Sequence, residues 1–136
     1  MIKCIVGKKG SGKTKQLIDM VNAAVKEENG NVICIEKGAK LTYDISHDAR
    51  LIDISEYPVT GYEAFIGFLC GIYACDYDVS CVFIDSLYKV AGSDSAAEIE
   101  TFFEKLELLY KSKGIKFVIT ISADISELPD AVKKYI

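Results

Sequence analysis

The chain has 136 residues, of which 50% are hydrophobic and 26% are charged, and its formal net charge is −4. These values are typical of a single globular domain with its own hydrophobic core, and we expect residues 1–136 to form that one domain. Basic residues cluster only between positions 7 and 14, which argues against a dedicated nucleic-acid surface. No apolar run approaches the roughly 20 residues that span a membrane, so no membrane span is expected. Because the first residues already form a strand pattern, we expect no signal peptide.

The five cysteines are odd in number and include no C-x-x-C pair. Cys4, Cys34 and Cys81 lie in apolar runs, and Cys70 and Cys75 lie five apart on a helical stretch. With one histidine in the chain, this spacing suits neither a disulfide framework nor a zinc site. We therefore expect reduced cysteines and a cytoplasmic protein.

The first predicted elements are a strand, a glycine-rich loop and a helix. Residues 2–6 form an apolar strand, and Gly7–Thr14 fits the phosphate-binding pattern G-x-x-x-x-G-K-[ST]. Helix one is predicted from Lys13 to Glu28 and ends at Asn29-Gly30. Its apolar face consists of Leu17, Val21, Ala24 and Val25.

Each residue type in this loop suits the binding of a nucleoside triphosphate with Mg²⁺. The glycines allow positive φ and leave no side chain in the way of a phosphate, and backbone N–H groups and the helix N-terminus attract oxyanions. Lys13 would contact the β- and γ-phosphates, and Thr14 would offer its hydroxyl to Mg²⁺. The alternative is an ordinary Gly/Lys-rich turn. The predicted binding residues are Gly7, Lys8, Lys9, Gly10, Ser11, Gly12, Lys13 and Thr14.

The remaining elements alternate between buried strands and amphipathic helices. This alternation predicts an α/β fold, a three-layer α/β/α sandwich around a five-stranded, mainly parallel sheet. Residues 37–50 read as a surface loop or small hairpin. Helix two is predicted to start with a Thr60/Glu63 capping box, and Ser95 with Glu98 caps helix three. Helix three buries Ile99, Phe102, Phe103, Leu106, Leu109 and Tyr110. The predicted strands and last helix are Val32–Ile35, Leu51–Ile54, Cys81–Ile84, Phe117–Ile121 and about Pro129–Tyr135.

Polar residues follow the predicted strands at their carboxyl-terminal ends, where open α/β sheets bind ligands. Asp85 comes directly after Cys81–Ile84 and is expected to hold Mg²⁺ opposite Thr14, the alternative being a turn or capping aspartate. Ser86 stands next, where many ATPases have a glutamate. A water-orienting carboxylate must then come from elsewhere, and Glu36 is the candidate, unless it is a solvated loop glutamate. The other strand-end residues are Ser55, Glu56, Ser122 and Asp124.

Ser122 is the candidate contact to the γ-phosphate from strand five, with Thr120 as a weaker one. For both, and for Asp124, the alternative is a side chain that satisfies the local backbone.

The chain resembles the RecA-like (ASCE) branch of the P-loop NTPases, reduced to its core. The resemblance rests on Gly7–Thr14, Val32–Glu36, Leu51–Ile54, Val82–Ser86 and Phe117–Ser122. It implies strand order 3-2-4-5-1 and a catalytic role for Glu36. The family's further strands and DNA-binding loops are absent, and Ser122-Ala123 stands where many relatives have an amide side chain. DNA recombination is therefore not implied.

The predicted strand order leaves strand one at an edge, which is a pairing hazard unless something covers it. Either the last helix covers it or a second subunit or protein partner does, and we expect a homo-oligomer. Arg50 is the one arginine, so it is the candidate for an arginine finger that the protein would supply to a neighbouring subunit, with Lys89 as a substitute and a surface role as the alternative. Tyr43, Tyr88 or Tyr135 could stack on the base, although each also suits packing.

Three functions stay open at this stage. The first is an Mg-ATP-binding NTPase with weak intrinsic hydrolysis that acts as a switch or motor component. The second is a small-molecule kinase of the nucleoside type, although Ser86 replaces the acid that such kinases have there. The third is a regulatory module that binds ATP without hydrolysing it.

Overall fold

The computed structural model describes residues 1–136 and contains one five-stranded sheet in which every pairing is parallel. The strands are β1 (Ile2–Gly7), β2 (Asn31–Glu36), β3 (Arg50–Asp53), β4 (Val79–Ile84) and β5 (Lys116–Ser122). Their order is β1-β5-β4-β2-β3, so the predicted order is confirmed. Val32–Ile35 is buried without alternation because both faces of the sheet are covered by helices.

Helices cover both faces of the sheet, which confirms the three-layer α/β/α sandwich. The two faces bury different numbers of residues. On one face, Leu17 and Val21 of the first helix enter a core cluster of 11 buried residues. A cluster of 25 buried residues lies on the other face, beneath the remaining helices. None of the helices has the length and apolar character needed to cross a membrane. The helices are α1 (Lys13–Glu27), α2 (Tyr62–Cys75), α3 (Leu87–Ala91), α4 (Ala96–Lys113) and α5 (Asp130–Lys133).

A short helix and several element ends differ from the predictions, because short segments carry no periodic signal; for example, β4 begins at Val79 and α5 covers only Asp130–Lys133. Helix α3 was not predicted, and its 5 residues lie between Ser86 and Gly92, both in the left-handed conformation. The third strand ends at Asp53 rather than Ile54. There the Asp53 carboxylate accepts a hydrogen bond from the Ser55 N–H (2.9 Å) and begins a 3₁₀ turn over Ile54–Glu56.

The predicted helix caps are partly wrong. Helix α2 begins at Tyr62 after Gly61, so Thr60 is not its cap and the capping box does not form. Gly61 instead donates its N–H to the Ala91 carbonyl (3.0 Å), which ties the start of α2 to the end of α3. Ser95 does precede α4, but its side chain makes no capping hydrogen bond.

Helix α1 ends differently from the prediction. Its final cap is Glu28 in an extended conformation, so Asn29-Gly30 does not provide a left-handed cap. Gly30 is required for space instead, because a Cβ there would lie 2.2 Å from the Asp78 carbonyl oxygen.

Burial also corrects two expectations. The segment after β2 forms turns, as the predicted loop would, but it is not wholly at the surface, since Leu41, Ile45 and Ala49 pack into the core cluster beneath α1. Of the six residues expected inside along α4, four are buried, but Leu109 is only partly buried and Tyr110 is 38% exposed. Both lie near the C-terminal end of the helix.

Candidate functional site

The glycine-rich loop joins the end of β1 to the start of α1. Gly10 and Gly12 have φ values of 87° and 85°, a conformation that side chains disfavour. Gly7 does not have positive φ, contrary to expectation; a Cβ there would lie 2.5 Å from Ser11 Oγ. Gly7 thus gives room for the loop to fold back, and the other two allow its turns.

Lys13 is the first residue of α1, and its side chain returns to the loop. It is 8% exposed, and its Nζ donates a hydrogen bond to the Lys8 carbonyl (3.0 Å) and lies 3.5 Å from Ser11 Oγ. No side chain caps the first-turn N–H groups of α1, and no acidic residue lies in that turn. A free helix N-terminus beside a buried ammonium is a favourable environment for a phosphate. Between these features the loop residues Lys8, Lys9, Gly10, Ser11 and Gly12 are exposed.

Asp85 and Thr14 meet although they are 71 residues apart in sequence. Asp85 follows β4 directly, and Thr14 Oγ1 lies 3.3 Å from its Oδ1 and 3.4 Å from its Oδ2. A hydroxyl and a carboxylate are oxygen donors of the kind Mg²⁺ takes, with phosphates and water completing its octahedron. This donor pair fits the predicted Mg²⁺ ligands.

Thr120 contacts the same carboxylate from the interior of the sheet. It is fully buried; its Oγ1 donates to Asp85 Oδ1 (2.8 Å) and accepts from the Ser86 N–H (2.7 Å). Thr120 therefore cannot contact a γ-phosphate, and the weaker sequence suggestion for it was wrong. The sequence indicates this buried contact only through a hydroxyl-bearing residue within the apolar run of β5.

Glu36 ends β2 and is 3% exposed. Its carboxylate accepts hydrogen bonds from the N–H groups of Lys40 (3.0 Å) and Leu41 (3.2 Å). Burial is the main cause that raises its pKa, and the nearby carboxylates of Asp53 and Asp85 raise it further. Glu36 thus holds the following loop in place, and its water-orienting role stays a prediction.

Ser122 and Asp124 lie beside the glycine-rich loop with different roles. Ser122 is the register partner of Gly7 and is exposed, as a phosphate contact requires. Asp124 accepts hydrogen bonds from the N–H (3.0 Å) and Oγ (2.8 Å) of Ser126, which lower its pKa. It therefore satisfies the local backbone, the alternative considered for it.

The remaining sequence candidates differ in exposure and position. Arg50 is exposed on β3, four strand positions from β1, which is roughly 19 Å at normal strand spacing. Lys89 is exposed on α3, and Tyr43 is 99% exposed. Tyr135 stacks on Phe103, with ring centroids 5.4 Å apart. Within one chain Arg50 is thus distant from the loop, and a finger supplied to a neighbouring subunit stays a prediction.

A cavity of about 490 Å³ lies between the N-terminal turns of α2 and α4 and includes no residue of the glycine-rich loop. The loop itself is an open cradle on the surface, so phosphate recognition there would depend on backbone N–H groups and Lys13 rather than on enclosure. No known protein-family model matches this chain, and no curated protein is significantly similar to it in sequence.

Proposed function

We propose that this chain is an Mg-ATP-binding P-loop NTPase with a RecA-like core and weak intrinsic hydrolysis, which acts as an ATP-driven switch or motor component. One observation carries the proposal: the loop, Lys13 and the Thr14–Asp85 pair lie together at the carboxyl-terminal ends of the parallel strands. Open α/β sheets bind their ligands at these strand ends.

In the proposed mechanism, ATP binding replaces hydrogen bonds within the loop by hydrogen bonds to the phosphates. The ammonium of Lys13 leaves the Lys8 carbonyl, 3.0 Å away, for β- and γ-phosphate oxygens. The uncapped N–H groups at the start of α1 bind the same phosphates. Thr14 and Asp85 would hold Mg²⁺, which when bound neutralises charge on the phosphate oxygens.

Three features support slow rather than fast hydrolysis. Ser86 follows Asp85 in place of an acid. Glu36 is already bonded to two N–H groups of its own loop. Arg50 begins the strand at the far edge of the sheet.

The two hydrogen bonds that Glu36 already accepts favour a second candidate function. This is a regulatory module that binds ATP as a conformational ligand without cleaving it.

Calorimetric titration with ATP and excess Mg²⁺ tests binding. Lys13→Ala is expected to weaken affinity at least about 30-fold, because it removes a buried charge that pairs with phosphate. Lys26→Ala is the matched control, since it removes the same charge from the exposed last turn of the same helix. Wild-type protein that gives no binding heat, or equal affinity for Lys13→Ala and wild type, would rule the proposal out.

Product analysis then separates the activities. Slow release of free phosphate that stops in Glu36→Gln supports the hydrolase. Phosphate release at the buffer rate despite binding supports the regulatory module. ADP that forms together with a phosphorylated nucleoside would indicate the kinase instead.

A further inference from the structure

The hydroxyl of Thr120 connects two residues that follow β4. Thr120 lies in the middle of β5, fully buried, with apolar neighbours on either side along the strand. A hydroxyl costs free energy in such a place unless it forms hydrogen bonds. It forms two, to the Asp85 carboxylate and to the Ser86 N–H.

The direction of these hydrogen bonds is fixed by their chemistry. The Ser86 N–H can only donate, so Thr120 Oγ1 accepts that bond (2.7 Å). The hydroxyl proton is then available for Asp85 Oδ1, 2.8 Å away. The order from donor to acceptor is therefore Ser86 N–H, Thr120 O–H and Asp85 carboxylate, which ends on the candidate Mg²⁺ ligand.

The Asp85 carboxylate is held from two sides, by Thr120 from the sheet and by Thr14 from the start of α1. Oδ1 has two partners, Thr120 (2.8 Å) and Thr14 (3.3 Å), whereas Oδ2 has only the longer contact with Thr14 (3.4 Å). The Thr120 hydroxyl also holds Ser86, the one non-glycine residue with positive φ (60°), in a conformation that side chains disfavour. Strained residues of this kind persist where the surroundings fix them, and they cluster at functional sites.

We propose that Thr120 is a positioning residue that orients the Asp85 carboxylate for Mg²⁺ binding. The inference rests on the proposed function, since it assigns a role within the Mg-nucleotide site. Residues that orient a metal ligand through a hydrogen bond typically change metal affinity 10- to 100-fold when they are substituted.

Two substitutions separate the hydroxyl from its packing. Thr120→Val keeps the shape and removes the hydroxyl, whereas Thr120→Ser keeps the hydroxyl and removes a buried methyl group. We expect Thr120→Val to raise the Mg²⁺ concentration for half-maximal ATP binding about tenfold, with ATP affinity in EDTA unchanged. Thr120→Ser should stay within about twofold of wild type in Mg²⁺ requirement even if it unfolds more easily.

Hydrogen exchange gives a readout without any ligand. The Ser86 N–H should exchange faster in Thr120→Val and stay protected in Thr120→Ser, relative to the N–H groups of β4. An Mg²⁺ requirement that is unchanged in Thr120→Val, or raised equally in both variants, would overturn the positioning role alone. No nucleotide binding by wild type at any Mg²⁺ concentration would overturn the proposed function and this role with it.

Discussion

At the scale of single residues, Lys13 is a nearly buried ammonium that forms no ion pair. The partners of its Nζ are a carbonyl and a hydroxyl of its own loop. A buried charge without a counter-charge costs free energy, so an anion that reaches this position gains from neutralising it. The charge of Lys13 thus supports the proposed phosphate site.

Gly30 allows a residue-scale prediction with a control of opposite sign. Gly30→Ala should destabilise the protein by about 1–3 kcal/mol, because the new Cβ meets a backbone oxygen that cannot move aside cheaply. Gly67→Ala, inside α2 with open space around the new Cβ, should stabilise it by about 0.5–1 kcal/mol. Urea unfolding of the two variants checks the signs. A stability loss for Gly67→Ala as large as that for Gly30→Ala would contradict the packing described for Gly30.

Residues differ in how far their surroundings could be predicted from the sequence. The contact between Thr14 and Asp85 could be expected because a motif and a strand end fix where such side chains point, whereas the roles of Lys13, Thr14 and Asp85 in ligand binding stay predictions. Thr120 was misread because its partners lie 34 and 35 residues away, on another strand. The bonds of Glu36 depend on how the following loop folds, and no periodic pattern specifies that loop.

At the scale of elements, α1 is fixed near both ends. Its N-terminus begins at the glycine-rich loop, and beyond its last turn Glu28 pairs with Lys116 at the start of β5 (2.8 Å). This ion pair joins the helix to the strand that also contains Thr120 and Ser122. The helix that presents Lys13 and Thr14 is thereby held against the central sheet.

The Glu28–Lys116 pair predicts a defined pH dependence. The hydrogen bond from Lys116 holds the pKa of Glu28 below its ordinary value of 4.5. A lowered pKa in the folded state means that the stabilisation is present above that ordinary value and is lost as pH falls through the folded value. Glu28→Gln should therefore cost about 0.5–1 kcal/mol at pH 7, since Lys116 is 44% exposed, and almost nothing in strong acid.

Urea titrations of wild type and Glu28→Gln at both pH values measure this difference. Asp19→Asn is the control, because its pair with Lys15 is exposed on both sides (65% and 78%) and should contribute little. A stability gap for Glu28→Gln that persists unchanged in acid would show that the pair is not its cause.

Long elements were predictable from their own residue patterns, whereas α5, with 4 residues, was predicted from its place after Pro129. The strands and the three long helices have enough residues for an apolar run or a helical repeat to show. Helix α3 has 5 residues, and the 3₁₀ turns have 3 each, so neither produces a pattern. Residues in the left-handed conformation flank helix α3. Aspartate side chains that accept hydrogen bonds from nearby N–H groups begin the 3₁₀ turns.

At the scale of the whole molecule, the sheet order brings the loop strand to an edge beside β5. The chain's own C-terminal segment covers part of that edge, since the Cys4 N–H donates to the Tyr135 carbonyl (2.8 Å). Tyr135 is itself held by Phe103 and by a hydrogen bond to Glu107 (2.8 Å). Of the two covers expected for this edge, the C-terminal one is observed, and self-association stays a prediction.

The fold as a whole could be predicted because apolar runs of strand length alternate along the chain with segments of helical periodicity. That combination permits a covered parallel sheet, and the resemblance to RecA-like cores implied its order. Which face each helix covers was not predicted, nor was the cavity between α2 and α4. Both depend on contacts between elements that are distant in sequence.

The central claim is that Mg-ATP binds at the glycine-rich loop, and mapping of amide chemical shifts during an ATP titration with Mg²⁺ tests it most directly. The account predicts that the largest shifts occur at Gly10, Gly12, Lys13, Thr14 and Asp85. Shifts that instead centre on Gly61 and Thr101 in the α2–α4 cavity, or no shifts at millimolar ATP, would contradict it.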